Sequence, residues 1–359
     1  MRSTQSKVLV LLPSLYKGGA EKIGITLFEE IQSRGYDVIL VSLDRNDKYS
    51  YKVAGEITYI ESDNFFLKIL EFVKILHGFN ISTIYSASQK TNIFSGLACL
   101  LMPKIHIVFR EPNTAENFHY SYPSLIKKYI IKLSIQISYR RANTIIANSQ
   151  DTKEDLIKEN FASSGKIDII ENPIELKSTV IDLDPVDSPT IKVILIGRLE
   201  YQKNIPLAVD ICAVLNTHIP TELTVVGSGS LESEIRDLSK SLNYDISIID
   251  SVDDVDNILR NKTFLLHTSR WEGYGNVLIE SLRNALPVVS TCTKGGSKDI
   301  LKKYSNSGLL IDCQDSQKIA EIIFENLNYL RRSRVELVKS FRNEYDYNRI
   351  IAEYLKYIK

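Results

Sequence analysis

Short runs rich in Val, Ile and Leu alternate with longer helical stretches along most of this 359-residue chain. The apolar runs have the length of buried strands, and the segments between them have the length and periodicity of helices. This alternation is typical of a parallel sheet covered by helices on both faces. In the first half, strands are predicted at residues 8–12, 38–42, 81–85, 105–109 and 144–147, and helices at 20–34, 65–78, 92–102 and 124–141.

The alternation stops near residue 175 and starts again near residue 191. The interrupting stretch is rich in acids, contains Pro185 and Pro189, and has no helical period, so we interpret it as a linker. The sequence therefore predicts an α/β protein with two Rossmann-like domains that face a cleft. In the second half, strands are predicted at residues 192–196, 222–226, 246–249, 263–267 and 287–290, and helices at 204–216, 230–242, 255–260 and 276–284.

The domain boundaries follow from this interruption. We expect an N-terminal domain over residues 1–175, a linker over 176–190 and a C-terminal domain over 191–340. A chain of this length fits two domains of ordinary size. The last segment, 341–359, is predicted to be helical, and two placements remain open for it. It either closes the second domain or crosses back to brace the first.

The composition excludes several classes of protein. Lys plus Arg and Asp plus Glu number 44 each, so net charge gives no indication of a nucleic-acid partner. The cysteines are scattered without a CxxC pair, which is typical of reduced thiols in a cytosol. No run reaches the roughly 18 apolar residues that span a bilayer. We expect a cytoplasmic protein that is soluble or lies on the inner face of the cell membrane.

The most informative segment is SRWEGYGNVLIE, residues 269–280, which joins a predicted strand to a predicted helix. Free backbone N–H groups at the helix start near Asn276, together with the helix dipole, favour an anion. Glu272 lies in the loop, and Glu280 lies about one turn into the helix. Two acids beside a phosphate would repel it, so we expect them to accept hydrogen bonds from sugar hydroxyls. The alternative is a surface loop with a capped helix.

A second segment, IGRLEYQKN at residues 196–204, follows the first predicted strand of the second domain. It places Arg198 and Lys203 around one turn, and an Arg fork with a Lys point charge suits a diphosphate. Such cations stabilise the charge that develops on a leaving nucleotide diphosphate. The alternative is a pair of solvated surface cations.

Glycine turns follow two of the predicted strands. Gly18 and Gly19 lie between the first strand and its helix, where a ligand could approach the backbone closely. This segment is not G-x-G-x-x-G, so a nicotinamide-dinucleotide site is poorly supported. The segment VGSG at residues 226–229 is a weak signal that could form a turn alone.

Together these motifs resemble glycosyltransferase family 4 in order and spacing over essentially the whole chain. The E-x7-E and Gly-Arg-Leu…Lys elements are specific, whereas the glycine turns are not. The resemblance implies a GT-B fold, retention of anomeric configuration and no metal or other cofactor. The segments that carry it are GGAE (18–21), NS (148–149), NP (172–173), GRLEYQKN (197–204), VGSG (226–229), EGYGNVLIE (272–280) and PVV (287–289).

The resemblance also implies roles for individual residues. Arg198 and Lys203 would hold the donor diphosphate, Glu272 the donor sugar and Glu280 the ribose, while Gly19 would approach the diphosphate across the cleft. Arg198, Lys203 and Glu272 are the implied catalytic residues. The implied donor-binding residues are Gly18, Gly19, Arg198, Lys203, Glu272, Gly275, Asn276, Val277, Leu278 and Glu280.

The chain departs from the family on the acceptor side. Many relatives carry a His after the fourth strand of the first domain, but here the segment is FREPN, residues 109–113. We therefore assign the acceptor-side role to Arg110 or Glu111. The alternative is that these two residues form a local ion pair.

No metal site is predicted. The D-x-D motifs at residues 182–184 and 254–256 look like the metal motif of the other glycosyltransferase fold. The first lies in the predicted linker, and Asp254 and Asp256 lie at a predicted helix start, where acids cap the helix. None of the histidines pairs with another at metal-ligand spacing.

Residues 117–150 contain cations but no acid, with tyrosines and apolar residues between them. Such a helix in a chain of zero net charge indicates attraction to an anionic membrane surface. The alternative is an ordinary solvated face over a buried stripe. The residues expected to face the membrane are Lys127, Lys128, Lys132, Arg140 and Arg141.

The resemblance implies a retaining hexosyltransferase that uses a nucleotide-sugar donor, with UDP favoured over GDP by family frequency. The implied acceptor is a glycan or polyprenyl-diphosphate-linked sugar in O-antigen or capsule synthesis. One rival is a UDP-sugar 2-epimerase on the same fold. Another is a non-catalytic subunit that binds sugar nucleotides, although the presence of Arg198, Lys203, Glu272 and Glu280 argues against it.

Overall fold

The computed structural model describes residues 7–16, 18–45, 50–121, 124–176, 188–240, 242–250, 252, 255–304, 306–332 and 334–359. The chain divides into two compact units. The first contains Met1–Pro173 and Tyr347–Lys359, and the second contains Ile174–Asp346. Each unit has one parallel sheet between helices, so the predicted α/β fold class is confirmed.

The first unit contains a seven-stranded sheet in the order β3-β2-β1-β4-β5-β6-β7. Its strands are β1 Lys7–Leu12, β2 Val38–Ser42, β3 Ile57–Tyr59, β4 Ile81–Ser86, β5 His106–Glu111, β6 Thr144–Ala147 and β7 Ile167–Ile169. Its helices within the first stretch of chain are α1 Gly19–Ser33, α2 Phe65–Gly78, α3 Gln89–Ala98, α4 Ala115–Ser121, α5 Leu125–Arg141 and α6 Gln150–Lys158.

The second unit contains a six-stranded sheet in the order β10-β9-β8-β11-β12-β13. Its strands are β8 Ile191–Ile196, β9 Thr221–Val226, β10 Asp245–Ile249, β11 Phe264–His267, β12 Val288–Thr291 and β13 Gly308–Ile311. Its helices are α7 Ile205–Asn216, α8 Glu232–Lys240, α9 Asp256–Leu259, α10 Asn276–Arg283, α11 Gly296–Lys303, α12 Ser316–Glu325, α13 Leu327–Arg332 and α14 Arg334–Glu344.

The central strands are continuously apolar because helices cover both sheet faces. In β1, residues 8–12 are all buried, and Leu9 and Leu11 belong to the same core as Phe72 and Phe109. The strands missing from the prediction are β3, β7 and β13. They are only three or four residues long and largely half-buried or exposed, so they lack the apolar run that identified the others.

The strand order places a switch point in each sheet. In the first unit β1 lies between β2 and β4, and in the second unit β8 lies between β9 and β11. The chain winds away from such a strand in both directions, which opens a crevice at its carboxyl end. Gly18 and Gly19 follow β1, and Arg198 follows β8, so each predicted glycine or cation turn lies at a switch point.

The chain ends with α15, Tyr347–Leu355, which belongs to the first unit. Ile350 and Ile351 are buried there, and the Tyr347 hydroxyl donates to Glu30 of α1 at 2.9 Å. The backbone N–H of Lys359 donates to the Thr83 hydroxyl at 3.1 Å.

The boundaries between the units differ from those predicted. The second unit begins at Ile174 rather than 191, because the Ile174 N–H donates to the hydroxyl of Tyr345, a residue of the same unit, at 2.6 Å. It ends after Asp346 rather than 340, since α14 packs against α10. Most of the predicted linker, residues 177–187 including the D-x-D at 182–184, lies outside the described residues.

Among the described helices, none combines the length and the apolar character needed to cross a membrane.

Candidate active site

The site in the second unit begins at the carboxyl end of β8. Gly197, with φ of +154°, turns the chain, and a short 3-10 turn over Tyr201–Lys203 leads into α7. A Cβ on Gly197 would lie 2.6 Å from Cε of Lys203. A side chain at this position would therefore displace the Lys203 side chain, which lies across the glycine backbone.

Lys203 and Glu272 form an ion pair in which Lys203 Nζ donates to Glu272 Oε1, and both side chains are largely buried. The Ser269 hydroxyl donates to the same oxygen at 2.9 Å. Nε2 of His267 lies 3.5 Å from it. All of these contacts fall on Oε1, so Oε2 is the oxygen left for a ligand. The sequence assigned Lys203 and Glu272 to different parts of the donor, and the structure places them in direct contact.

Glu272 is a carboxylate at neutral pH. Burial by itself would raise its pKa, but the positive charge of Lys203 and the neighbouring His267 outweigh burial and hold the pKa of Glu272 well below its ordinary range. The pair thus presents a fixed hydrogen-bond acceptor inside a largely buried site. A carboxylate in this position suits the hydroxyl groups of a sugar.

The backbone around Glu272 is held by neighbouring loops. The Glu272 N–H donates to the carbonyl of Lys294 at 3.0 Å, and the side chain of Gln202 donates to the carbonyl of Trp271 at 2.8 Å. Gly295 adopts φ of +116°, and a Cβ there would lie 1.6 Å from the carbonyl oxygen of Glu272. This position therefore requires glycine, because any side chain would displace the loop that carries the carboxylate.

The helix α10 begins directly after this loop. Its N-cap is Gly275, with φ of +88°, a residue that has no side chain to cap the helix. The side chains of Val277 and Leu278 are buried, and the Leu278 N–H donates to the carbonyl of Gly275 at 2.9 Å, so the N–H of Val277 is the group at this helix start that can meet a ligand. Glu280 is also buried, one turn into the helix.

Arg198 differs from Lys203, whose side chain forms an ion pair with Glu272. It is exposed, and within the described part of the chain no hydrogen bond or ion pair engages its guanidinium. The neighbouring Glu200 instead accepts hydrogen bonds from the backbone N–H and the hydroxyl of Ser230, at 3.0 and 2.7 Å. Arg198 is thus free to bind an anion at the carboxyl end of β8.

Asp256 has a structural role, because its carboxylate accepts hydrogen bonds from Arg283 at 2.6 Å and from Asn284 at 2.7 Å. It thereby holds the end of α10 rather than capping its own helix. The other acid of that motif, Asp254, lies outside the described residues. Among the described residues, no group of His, Cys, Asp and Glu side chains is arranged to hold a metal ion.

In the first unit, Gly18 is the N-cap of α1 and Gly19 is its first residue. Arg110 and Glu111 end β5, where both are buried. Arg110 donates to Asn172 at 2.7 Å, while Glu111 accepts hydrogen bonds from the Tyr139 hydroxyl and from a backbone N–H. The two side chains therefore bind different partners instead of a direct ion pair with each other.

The five basic residues that were predicted to face a membrane have different environments. Lys127 and Arg140 are exposed, whereas Lys132 forms an ion pair with Glu159 at 2.7 Å. Lys128 lies over the ring of Phe118. Arg141 donates to backbone carbonyls at the end of α3 and in the loop that follows, which is a structural role.

The sequence left open whether the apolar residues at the start of α5 form a membrane-facing surface or a buried stripe, and the structure shows several of them exposed. Leu125, Ile126 and Tyr129 are 82%, 75% and 72% exposed, and Ile130 and Leu133 are exposed as well. Their spacing is that of a buried stripe, so the sequence pattern alone could not identify them as surface residues. Sequence reasoning assigned no role to His267, the last residue of β11, or to Ser269, the first residue of the segment that carries Glu272.

Comparison with known proteins identifies relatives of both units. Residues 17–178 match the family model described as Glycosyltransferase Family 4, and residues 184–339 match the one described as Glycosyl transferases group 1. The crystal structure of HepE from Anabaena in complex with UDP and glucose superposes with a TM-score of 0.79 at 17% identity, over 98% of both chains. That likeness establishes a shared fold.

Two enzymes are similar over most of their length. The N-acetylgalactosamine-N,N'-diacetylbacillosaminyl-diphospho-undecaprenol 4-alpha-N-acetylgalactosaminyltransferase of Campylobacter jejuni is 27% identical over 98% of this chain and 99% of its own length. The UDP-Gal:alpha-D-GlcNAc-diphosphoundecaprenol alpha-1,3-galactosyltransferase of Escherichia coli is 22% identical over 88% and 87%.

The buried Glu111 leads to a prediction about stability and pH. Burial raises the pKa of Glu111 from 4.5 to about 7, although its hydrogen bond from Tyr139 opposes the shift. The folded protein therefore retains a proton that the unfolded chain releases as pH rises through this range. The stabilisation of the folded protein by protonated Glu111 is fully present below about pH 4.5 and is lost as pH rises through about 7. Its loss lowers the free energy of unfolding by on the order of 3 kcal/mol.

We expect Glu111→Gln to remove this loss, because an amide does not titrate. The measurement is urea unfolding at pH 5 and pH 8, followed through hydrogen exchange of the β5 amides. Glu159→Gln is the control in the same unit, since the pKa of Glu159 is lowered and its contribution is lost only at more acidic pH. Equal pH dependence in wild type and Glu111→Gln would contradict the prediction.

Proposed function

Because this chain belongs to the family 4 glycosyltransferases of the GT-B fold, we propose that it transfers a hexosyl group from a UDP-sugar to a lipid-linked diphosphate acceptor in surface polysaccharide synthesis. We propose further that the anomeric configuration is retained. The observation that carries the proposal is the buried Lys203–Glu272 pair beside the uncommitted Arg198 at the carboxyl end of β8.

The choice of donor and acceptor is supported by the relatives. The name of the E. coli enzyme specifies a UDP-sugar donor and a diphosphoundecaprenol acceptor, and that of the C. jejuni enzyme also specifies an undecaprenol diphosphate. HepE was crystallised with UDP and glucose. Arg110 and Glu111 were predicted to act on the acceptor side. Since both are buried, we propose that they support the residues of that side and do not touch the acceptor directly.

In the proposed donor complex, Arg198 and Lys203 neutralise the diphosphate. Lys203 can donate to a phosphate oxygen while it remains paired with Glu272, because an ammonium carries three donors. Glu272 Oε2 accepts a hydrogen bond from a sugar hydroxyl, and Glu280 accepts one from the ribose. The N–H of Val277 at the start of α10 completes the anion site of the second unit.

We propose that Arg198 and Lys203 stabilise the leaving UDP without a metal ion. Their positive charges neutralise the negative charge that develops on the departing diphosphate. The acceptor hydroxyl would attack from the same face as the leaving group, in an ion-pair-like displacement: the bond from the anomeric carbon to the UDP oxygen breaks, the bond to the acceptor oxygen forms, and the acceptor proton passes to the departing diphosphate. This route fits a site whose buried carboxylate, Glu272, is already engaged by Lys203 and Ser269 instead of being free to act as a nucleophile.

The first prediction for this function concerns the cations. Lys203→Ala and Arg198→Ala should each lower turnover by about 10²–10³-fold, the scale for losing one donor to transition-state charge. Turnover is measured as UDP release from UDP-galactose, UDP-glucose and UDP-N-acetylgalactosamine, in excess EDTA, with an undecaprenyl-diphosphate-linked sugar as acceptor.

Lys240→Ala and Arg236→Ala are matched controls, because both residues form exposed ion pairs in the same unit. These variants should retain wild-type turnover. Near-normal turnover of Lys203→Ala and Arg198→Ala would contradict the assignment. An altered sugar released without acceptor would instead indicate an epimerase.

The second prediction separates the two acids. Glu280→Gln should weaken the binding of UDP by about 10–100-fold, the scale for losing a hydrogen bond to a charged group. Glu272→Gln should lower turnover without weakening the binding of UDP, because the proposed partner of Glu272 is the sugar. Calorimetry with UDP alone is the measurement, with the exposed Glu325→Gln as control. Equal losses of UDP affinity in both variants would show that the two acids do not divide the donor in this way.

We also propose that the first unit docks on an anionic membrane through α5. The exposed Leu125, Ile126 and Tyr129 supply apolar area, and Lys127 adds charge without a neighbouring acid. Apolar burial and about 1 kcal/mol from each cation act together at such a surface. The contribution first expected from Lys132 and Arg141 is reduced, because both have partners within the protein.

The membrane proposal predicts two distinguishable losses in co-sedimentation with phosphatidylglycerol vesicles. A Leu125→Ser, Ile126→Ser, Tyr129→Ser variant should bind weakly at every salt concentration, whereas Lys127→Glu should reduce binding chiefly at low salt. Ile157→Ser, also on an exposed helical position of the first unit, should sediment like wild type. If wild type fails to sediment at low salt, α5 is not a lipid-docking face.

A further inference from the structure

We propose that His267 is a positioning residue for Glu272, and that a hydrogen-bonded chain from Ser290 through His267 fixes which carboxylate oxygen meets the donor sugar. This inference rests on the proposed role of Glu272 as the sugar ligand. His267 was not among the residues that the sequence motifs identified. Its part in the site follows from the placement of its two ring nitrogens.

The imidazole of His267 is enclosed between two neighbouring strand ends. His267 is the last residue of β11, is only 4% exposed, and is paired in register with Ser290 of β12. Nδ1 lies 2.9 Å from the Ser290 hydroxyl oxygen. Nε2 lies 3.5 Å from Glu272 Oε1, and among the described residues it makes no hydrogen bond, so this contact is the one that a small movement of the carboxylate would close.

The proton on the imidazole is assigned from its neighbours. Burial lowers the pKa of His267, against the opposing effect of Glu272, so the ring is neutral at pH 7 and carries one N–H. If that proton were on Nδ1, the lone pair of Nε2 would face the Glu272 carboxylate, and the two would repel each other. With the proton on Nε2, the ring donates toward the carboxylate, and the Ser290 hydroxyl can donate to Nδ1.

The Ser290 hydroxyl is placed to determine this choice. It lies 2.9 Å from Nδ1 and 2.9 Å from the carbonyl oxygen of Thr291, which can only accept. Its single proton goes either to Thr291, with the Ser290 oxygen accepting from Nδ1–H, or to Nδ1. Donation to Nδ1 leaves the ring proton on Nε2, where a charged acceptor makes the stronger hydrogen bond. Ser290 is fully buried, so its hydroxyl serves this chain and not a solvent-exposed reaction.

The consequence for Glu272 is that Oε1 is held from several sides. Lys203, Ser269 and His267 all approach this oxygen, which turns Oε2 toward the remaining open side of the site. Contacts of this kind are often long in a free enzyme and shorten in the substrate complex. His267 therefore acts through Glu272 and does not itself touch the donor.

Two substitutions separate the two ends of the imidazole. The amide nitrogen of His267→Gln reaches the position of Nε2, so this variant can still donate to Glu272. His267→Asn can place its amide only near the position of Nδ1, so it keeps the Ser290 contact and loses the Glu272 contact. We expect His267→Asn to lower turnover of the UDP-sugar by about 10-fold, the scale for losing a hydrogen bond to a charged group.

His267→Gln should remain within about threefold of wild type, and both variants should bind UDP alone like wild type. In a Glu272→Gln background, His267→Asn should cause no further loss, because the contact it removes is already changed. His218→Asn, an exposed histidine of the same unit, is the control. Equal losses in His267→Asn and His267→Gln, or a full additional loss in the Glu272→Gln background, would overturn the proposal.

A measurement without turnover tests the chain directly. The protein has five histidines, so ¹⁵N-histidine labelling gives few signals, and the His267 signal is the one absent from His267→Gln. We expect a protonated Nε2 and an unprotonated Nδ1 at pH 7. A proton on Nδ1 instead would overturn the inference. If Glu272→Gln keeps full turnover while the tautomer is as expected, the donor-sugar role of Glu272 fails and the hydrogen-bonded chain stands.

Discussion

The main constraint on this protein is that a parallel sheet covered by helices on both faces leaves only its strand ends to meet a ligand. In the second unit the carboxyl ends of β8, β11 and β12 lie side by side. Lys203 follows the first, Glu272 follows the second, and Gly295 follows the third. Residues far apart in the chain therefore share one small volume, and the loops that carry them must pack closely enough to hydrogen-bond to each other.

Because these loops pack closely, the carboxylate of Glu272 is buried and needs a cation beside it. A buried carboxylate without a partner is costly, and the cost falls when a cation and hydroxyl donors surround it. Lys203 and Ser269 meet this need for Glu272, while Gly295 lets the backbone of Lys294 approach the Glu272 backbone. The contacts of Lys203 and Ser269 thus keep Glu272 ionised although its side chain is buried.

Much of this arrangement could be predicted from the sequence, and the rest could not for physical reasons. Apolar runs identified the central strands, and the family resemblance assigned Arg198, Lys203 and Glu272 to one donor site, of which the structure shows Lys203 and Glu272 in contact. Pairing between Lys203 and Glu272 depends on side-chain directions that spacing does not specify. The exposure of Leu125 could not be foreseen either, because helical periodicity marks an apolar face without indicating what covers it. The short edge strand β7 had no apolar run to reveal it.

If the donor is a UDP-sugar, as proposed, the Lys203–Glu272 ion pair affects which nucleotide the site binds. If Lys203 turns part of its hydrogen bonding to a diphosphate, Glu272 loses some of the charge that keeps it ionised, and the cost rises because the carboxylate stays buried. A sugar hydroxyl on Oε2 replaces what the lysine gives up, whereas a nucleotide without its sugar does not. Binding energy from the diphosphate is then fully available only when the correct hydroxyl is present. If Glu272 binds the donor sugar as proposed, its ion pair with Lys203 therefore favours the intact donor over a nucleotide without its sugar.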